Sequence, residues 1–483
     1  MSVSKFLDEK FKLTEKGTSV KTEIMAGLTT FMAMVYILMV NAGMFADLGE
    51  DVVSYGGMYI VTALSAIIGT VLIGVLAGLP LAQAPGMGLN AFFVYTMCFA
   101  FGFSYANTLV FILLDGLVFV LLTVTGLRKV IFNAIPDVVK KAIPAGIGLF
   151  IAFIGLQNAG IVVLDPATKV AMGSLNILPL IQGNGSWVAI FPLIVTILGV
   201  IAIAVLAKKN VKGSILFGIL GSAVLYYAFA GIGALCGEEA CKAIFTSISM
   251  SNPFDAFGAF ASESFGKVFT EGFNFTPWLN ANNNDVAQLV ILIITSALAF
   301  CVVDMFDTLG TLYGACARGN LLDKDGNVPN LEGAMLADAI ATCAGAILGT
   351  STVTTFVESS AGTAEGGKTS LTAYVVAGLF ALAMFLSPIA QLIPSCATAT
   401  ALIYVGVLMM NGVREIEWTD PAVAVPAFLT VSMMSFTYNI SFGIGFGLIS
   451  YVIIKVCTGK AKEITVPTWV LTALFLALFL FTH

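Results

Sequence analysis

Three acids in otherwise apolar surroundings carry most of the chemistry that this 483-residue chain can offer. The stretch "AFCVVDMFDTLGTLYG" places Asp304 and Asp307 about one helical turn apart, on nearly one face. The stretch "GTSTVTTFVESSAG" ends a run of hydroxyl and β-branched residues with Glu358. Ionisable groups at membrane depth are costly and are by default functional. No Lys or Arg lies at comparable depth to neutralise these three. The alternative is that they cap helices or bond neighbouring helices, a role that fits Glu358 at a helix start. Carboxylates without a nearby cation accept hydrogen bonds. They therefore suit a ligand rich in N–H donors, a cation or a proton, and they disfavour an anion. Burial, and the mutual repulsion of two acids a turn apart, poise one of the three to take up and release a proton. Proton coupling is accordingly expected at Asp307, Asp304 and Glu358, and substrate contact at Glu358 and Asp304.

Weaker candidates surround them. Asn90 in "APGMGLNAFF" follows a Pro/Gly break by about a turn and could point into the same pocket. Phe92, Phe93, Phe306 and Phe356 are candidates for stacking on a flat ring, Phe356 among the expected substrate contacts. Asp115 and Asp338 are lone acids in apolar runs, for which a protonated carboxyl bonding a backbone carbonyl is the simpler reading. Thr29 and Thr30 read as small residues that permit close helix packing, while Gln157 and Asn158 suit either role. The one histidine is His483, which removes His metal sites and His proton relays. The eight cysteines include no CxxC pair, so no metal site or cofactor is expected, and a membrane enzyme lacks its nucleophile–base pair. Cys236 and Cys241 are close enough in sequence to bridge if their loop faces an oxidising compartment.

The elements that must position these residues are membrane spans. The chain is 58% hydrophobic and 10% charged, with a mean hydropathy of +0.98. Apolar runs long enough to cross a bilayer recur at 22–44, 55–79, 81–101, 105–126, 137–163, 187–207 and 212–232. A second set follows at 286–317, 331–349, 350–366, 368–389, 396–411, 421–437 and 439–457. A last run, 465–482, either crosses or lies in the interface. With the N-terminus inside, 19 of the 22 Lys and Arg residues fall on inner loops, and only Lys169, Lys242 and Lys267 fall outside. Seven spans per half would make the halves antiparallel repeats. "VAIFPLIVTI" (188–197) resembles "VAVPAFLTVSM" (423–433), and "SILFGIL" (214–220) resembles "NISFGIG" (439–445).

The third span of each half is irregular. Pro80, Pro85, Gly86 and Gly88 do not fit one continuous helix, and "TSTVTTFV" favours extended structure. Each is expected to enter as a short strand and turn into a half-helix near the midplane, the two strands pairing antiparallel. Half-helices starting at Gly86–Gly88 and Glu358–Ser359 would then turn free N–H groups, those of Gly88 and Ser359 among them, towards a central pocket.

"KTEIMAGLTTFMAMVYILMVN", "APGMGLNAFF", "DMFDTLGTLYG", "GTSTVTTFVESSAGTAEGGKTSLTA" and "PAFLT" resemble the AzgA-type purine permeases of the nucleobase–cation symporter-2 family, over residues 11–460. The resemblance implies an all-α polytopic membrane protein of 14 segments, two inverted seven-span repeats in the uracil-permease fold. It implies a cytoplasmic segment at 1–21 and a core domain from 22–127 and 286–389. A gate domain would come from 128–232 and 390–458, with an extracytoplasmic connector at 233–285 and an apolar C-terminal segment at 459–483. It also implies a homodimer in the inner (plasma) membrane, importing adenine, guanine or hypoxanthine with protons and without nucleic acid as a partner. Glu358 matches the base-binding glutamate and Asp304 its partner on the eighth span, while Asn90 and Asp307 match positions the branch needs. Thr308 stands where the wider family often has a His, so coupling would rest on carboxyls. Sodium coupling, or an anion transporter of the same fold, are the alternatives.

Overall fold

The computed structural model describes residues 3–125, 135–182, 185–248, 252–324 and 326–481. The basic pair Arg128–Lys129 and the C-terminal His483 of the sequence reading lie outside them. The first apolar run forms α1 (Val20–Met34) and α2 (Ile37–Ala46), interrupted by a turn at Val35–Tyr36. Ser19 caps α1 by accepting from the Thr22 N–H, and Ser54 caps α3 (Tyr55–Leu76) by accepting from the Gly57 N–H. The irregular third run follows as β1 (Gln83–Pro85), α4 (Met87–Ala91) and a π-helix over Phe92–Ala100. Then come α5 (Tyr105–Thr125), α6 (Asp137–Asn158), a hairpin of β2 (Val162–Asp165) and β3 (Lys169–Met172), α7 (Phe191–Lys208) and α8 (Ser214–Leu235). The hairpin was not expected from sequence. It turns on Asp165, whose carboxylate accepts from the backbone of Ala167 and Thr168.

After a set of short helices, the second half runs α9 (Val286–Arg318), α10 (Leu331–Leu348), β4 (Val353–Thr355), α11 (Ser359–Ala364) and α12 (Ser370–Ala383). It ends with α13 (Ser395–Met409), α14 (Pro421–Phe436), α15 (Ile440–Cys457) and α16 (Val466–Phe481). Among the described residues, 11 helical segments are long and apolar enough to cross a membrane. They fall on eleven of the fourteen expected spans. The other three differ for physical reasons: the third span of each half is cut short by its strand, and α14 has only 16 residues. Cys236 and Cys241 are both free thiols.

Two contacts show how the halves are joined. Glu23, wholly buried at the start of α1, accepts hydrogen bonds from the Lys368 N–H at 2.9 Å, the Thr369 hydroxyl at 2.9 Å and the Thr372 hydroxyl at 2.6 Å. A carboxylate is thus satisfied at the positive end of α12. Elsewhere α6 crosses α13 at two glycines, where a Cβ on Gly148 would lie 2.7 Å from the Gly406 carbonyl. The absence of side chains lets the two backbones touch.

Candidate ligand cavity

The strands β1 and β4 pair antiparallel, with Gln83 opposite Thr355, Ala84 opposite Thr354 and Pro85 opposite Val353. The ladder extends by Gly86 N–H to the Thr352 carbonyl and Phe356 N–H to the Ala82 carbonyl, each at 3.0 Å. Three-residue strands in an apolar interior leave their outer edges bare unless side chains cover them. Two threonines do so. The Thr70 hydroxyl of α3 accepts from the Gln83 N–H (3.0 Å) and donates to its carbonyl (3.1 Å). The Thr342 hydroxyl of α10 does the same for Val353, at 3.2 and 3.4 Å. Each thread of irregular backbone is therefore closed by one hydroxyl from the helix before it. Sequence reasoning passed over both residues. The available signal was a single Thr at a like place in the second span of each half, "AIIGTVLIG" and "AIATCAGAI".

The short helices that leave the strands, α4 and α11, border a cavity of about 380 Å³ with α6, α9 and α13. Asp307 and Glu358 both line it, as do Gly88, Phe306 and Phe356. Glu358 occupies the N-cap position of α11, yet its side chain makes no capping bond. Its carboxylate instead accepts from the Tyr36 hydroxyl at 2.6 Å. The capping half of the alternative is removed, while the bond itself joins α11 to the break between α1 and α2, where Tyr36 is a residue that sequence reasoning missed. Asp307 accepts from the Thr354 hydroxyl at 3.3 Å, so strand β4 orients one acid and leads into the other. Gly86 leaves room for this arrangement: a Cβ there would lie 3.1 Å from the Thr354 hydroxyl and 3.6 Å from the Asp307 carboxylate.

The remaining expected residues stand further back. Asp304 is wholly buried on α9 and is not part of the cavity wall. Asn90 is also buried, where its amide donates to the Pro85 carbonyl at 3.4 Å and its carbonyl accepts from the Ser351 hydroxyl. It thus ties α4 to the chain entering β4. Ser359 bonds the backbone of Ala82, accepting from its N–H at 3.0 Å. Phe92 and Phe93 pack inward, Phe92 against Phe300 with ring centroids 4.6 Å apart. Thr30 lies where a Cβ on Gly362 of α11 would strike it, in keeping with close packing. Arg318 reaches the same cavity from the end of α9, eleven residues beyond Asp307.

A second cavity, of about 360 Å³, lies at the other ends of α6 and α13, lined by Asp47, Tyr55, Asn158 and Gln391 among others. Asn158 closes α6 there, whereas Pro144 of the same helix lines the first cavity. Ser395 and Thr398 open α13 there, whereas Leu408 and Met409 line the first cavity.

Comparison with known proteins bears on what such a cavity holds. The sequence profile of the permease family Xan_ur_permease matches residues 21–446. The guanine/hypoxanthine permease PbuG of Bacillus subtilis is 38% identical over 477 residues, covering 98% of this chain and 99% of the relative. The adenine permease AdeP of Escherichia coli (strain K12) is 34% identical over 470 residues, covering 97% and 95%. Among solved structures, the transmembrane domain of a cyanobacterium bicarbonate transporter, BicA, shares the fold with a TM-score of 0.56 at 13% identity, covering 89% of this chain and 96% of that one.

Proposed function

The chain belongs to the Xan_ur_permease family of permeases, and on that premise we propose that it imports purine nucleobases by proton symport, with hypoxanthine, guanine and adenine as substrates. It is a multi-pass membrane transporter and not an enzyme. The observation that carries the substrate reading is the pair of carboxylates in one cavity wall, Glu358 and Asp307, flanked by Phe306 and Phe356. A purine presents ring and exocyclic N–H groups along its edges and two flat faces. Carboxylates accept from such donors, and aromatic rings pack on such faces. Glu358, held by Tyr36, is the principal contact, and the backbone N–H at Gly88 assists it; the expected Ser359 N–H is not available, because it already donates to the Phe356 carbonyl at 3.1 Å. Asp307 accepts from the base or takes the proton, while Asn90 ties α4 to the chain entering β4.

The two cavities at opposite ends of α6 and α13 support a reading of alternating access. The first opens towards the ends that carry Lys140, Lys141 and Arg318, which the positive-inside rule assigns to the cytoplasm. In this reading the protein is inward-facing, in the plasma membrane, with its N-terminus inside. The fourteen segments form two inverted repeats of seven. A core of spans 1–4 and 8–11 moves against a gate of spans 5–7 and 12–14, and two chains pair as a homodimer. An anion substrate is disfavoured because both side-chain carboxylates would face it.

Radiolabelled hypoxanthine uptake into proteoliposomes, under imposed pH or sodium gradients and with adenine, guanine, uracil and sulfate as competitors, tests this. Uptake driven by inward protons and blocked by purines alone is expected. Uptake that follows sodium overturns the proton reading, and competition by sulfate or uracil overturns the purine reading.

A further inference from the structure

Two acids outside the cavity wall lie on neighbouring helices behind the strands. Asp115 on α5 and Asp338 on α10 are both wholly buried, and the residues that follow them, Gly116 and Ala339, sit at the α5–α10 contact. The helices touch closely there, since a Cβ on Gly116 would lie 3.2 Å from the Ala339 carbonyl. Neither carboxylate oxygen of Asp115 has a hydrogen-bond partner among the described residues. An ionised carboxylate without a donor is strongly disfavoured in such a place, so one carboxyl of the pair must carry a proton. Asp338, in contrast, is tied to the site. It accepts from the Thr308 hydroxyl at 2.9 Å, next in sequence to Asp307, and from the Gln83 amide at 3.3 Å. The same amide nitrogen donates at 3.2 Å to the hydroxyl of Thr355, a residue of the cavity wall.

We propose that Asp115 and Asp338 form a proton-holding pair, buried behind the strands, that binds the transported proton apart from the acids of the cavity wall. This rests on the proton-symport reading above. The pair holds one proton at rest and takes a second from a hydronium ion in the cavity, one O–H bond breaking there as one forms on the carboxyl, and returns it to water on the other side, as hydronium, after the core has moved. Protonation turns Asp338 from acceptor to donor. The Gln83 carbonyl oxygen, without a partner among the described residues, can accept once the amide turns over. Because Gln83 lies in β1, opposite Thr355, that turn reaches the cavity wall.

The other charges around the pair are accounted for. α10 also brings Cys343 to Asp115. α9 carries Asp304 and, in the cavity wall, Asp307 and Arg318. Tyr95 of the π-helix donates to Asp47, and Lys267 beside α5 pairs with Glu271. α3, packed on α10, contains no charged residue.

The test compares wild type, Asp115→Asn, Asp115→Glu and Asp338→Asn in proteoliposomes, by hypoxanthine counterflow, which needs no net proton movement, and by pH-driven accumulation. Expected is counterflow within about twofold of wild type in Asp115→Asn, with accumulation reduced about tenfold or more, the same split in Asp338→Asn, and recovery in Asp115→Glu. The pH dependence of purine affinity should flatten in the two Asn variants. Accumulation at wild-type level in Asp115→Asn overturns the proposal. So does loss of counterflow together with accumulation, because Asp115 then supports the fold or the base and not the proton alone. Wild type that ignores the pH gradient refutes proton symport itself, a failure visible before any variant is made.

Discussion

At the scale of single residues, the acids were legible and their orientation was not. Spacing put Asp304 and Asp307 on nearly one helical face, but three residues leave them about 60° apart around the axis. The cavity face of α9 is the stripe of Val303, Phe306, Asp307, Gly310 and Thr311, and Asp304 lies off it. Glu358 was legible as an acid at a helix start, whereas Tyr36 was one aromatic residue among many in an apolar run. The hydroxyl of Tyr36 makes a charge-assisted bond to Glu358, a class worth about 1.5–3 kcal/mol. Tyr36→Phe should therefore weaken purine binding about tenfold or more without loss of folded protein, measured by equilibrium binding in detergent. Glu358→Gln should cost more, since it replaces an acceptor-only group by one that also donates and leaves the Tyr36 bond weaker. Its uptake should fall to background while size-exclusion behaviour is unchanged. If both variants transport hypoxanthine like wild type, the assignment of Glu358 to the base is wrong. Asn90→Ala removes the acceptor for Ser351 and the donor to Pro85. It should destabilise the protein by about 1–3 kcal/mol, read as a lowered midpoint of thermal unfolding.

At the scale of elements, strand formation was written in "QAPG" and "TSTVTT" because proline, glycine and β-branching act locally. The bonds of Thr70 and Thr342 join residues 13 and 11 positions apart, between different elements, and no local propensity records them. Replacing either by Val keeps the shape but leaves a strand N–H and C=O bare. Each variant should lose purine binding, and Ser should restore it. Beyond the spans, Glu238 shows a similar local closure. Its carboxylate, partly desolvated, still sits below the usual range because Ser186 and the N–H groups of Trp187 and Val188 donate to it. A carboxyl lowered on folding stabilises the native state above its unfolded value, near pH ~4, and loses that contribution as pH falls through its folded value. The thermal midpoints of wild type and Glu238→Gln should accordingly differ near neutral pH and converge in acid. The glycine crossing of α6 and α13 makes a steric prediction. Gly406→Leu should force the helices apart and cost about 1–3 kcal/mol or more.

At the scale of the whole molecule, hydropathy revealed a polytopic chain and placed most of its spans, because long apolar helices need only length and composition. It could not reveal which ends of α6 and α13 border cavities, since that depends on how the helices tilt and pack. The two cavities give a direct labelling prediction. In a cysteine-free background, Asn411→Cys should react with an impermeant thiol reagent from the side bearing Lys140 and Lys141, and Asn158→Cys only from the other. Purine should slow the first reaction. Labelling of both positions from one side would refute an inward-facing arrangement. The pairing of β1 with β4 also has a bearing on how the protein is made. Gln83 and Thr355 are 272 residues apart, so at ~10 residues per second the first strand waits roughly half a minute for its mate to leave the ribosome. Throughout that time the nascent chain holds an open edge in or near the bilayer. The wall of the first cavity therefore cannot close before much of the second half has been made, and its completion reports that the two halves have been joined.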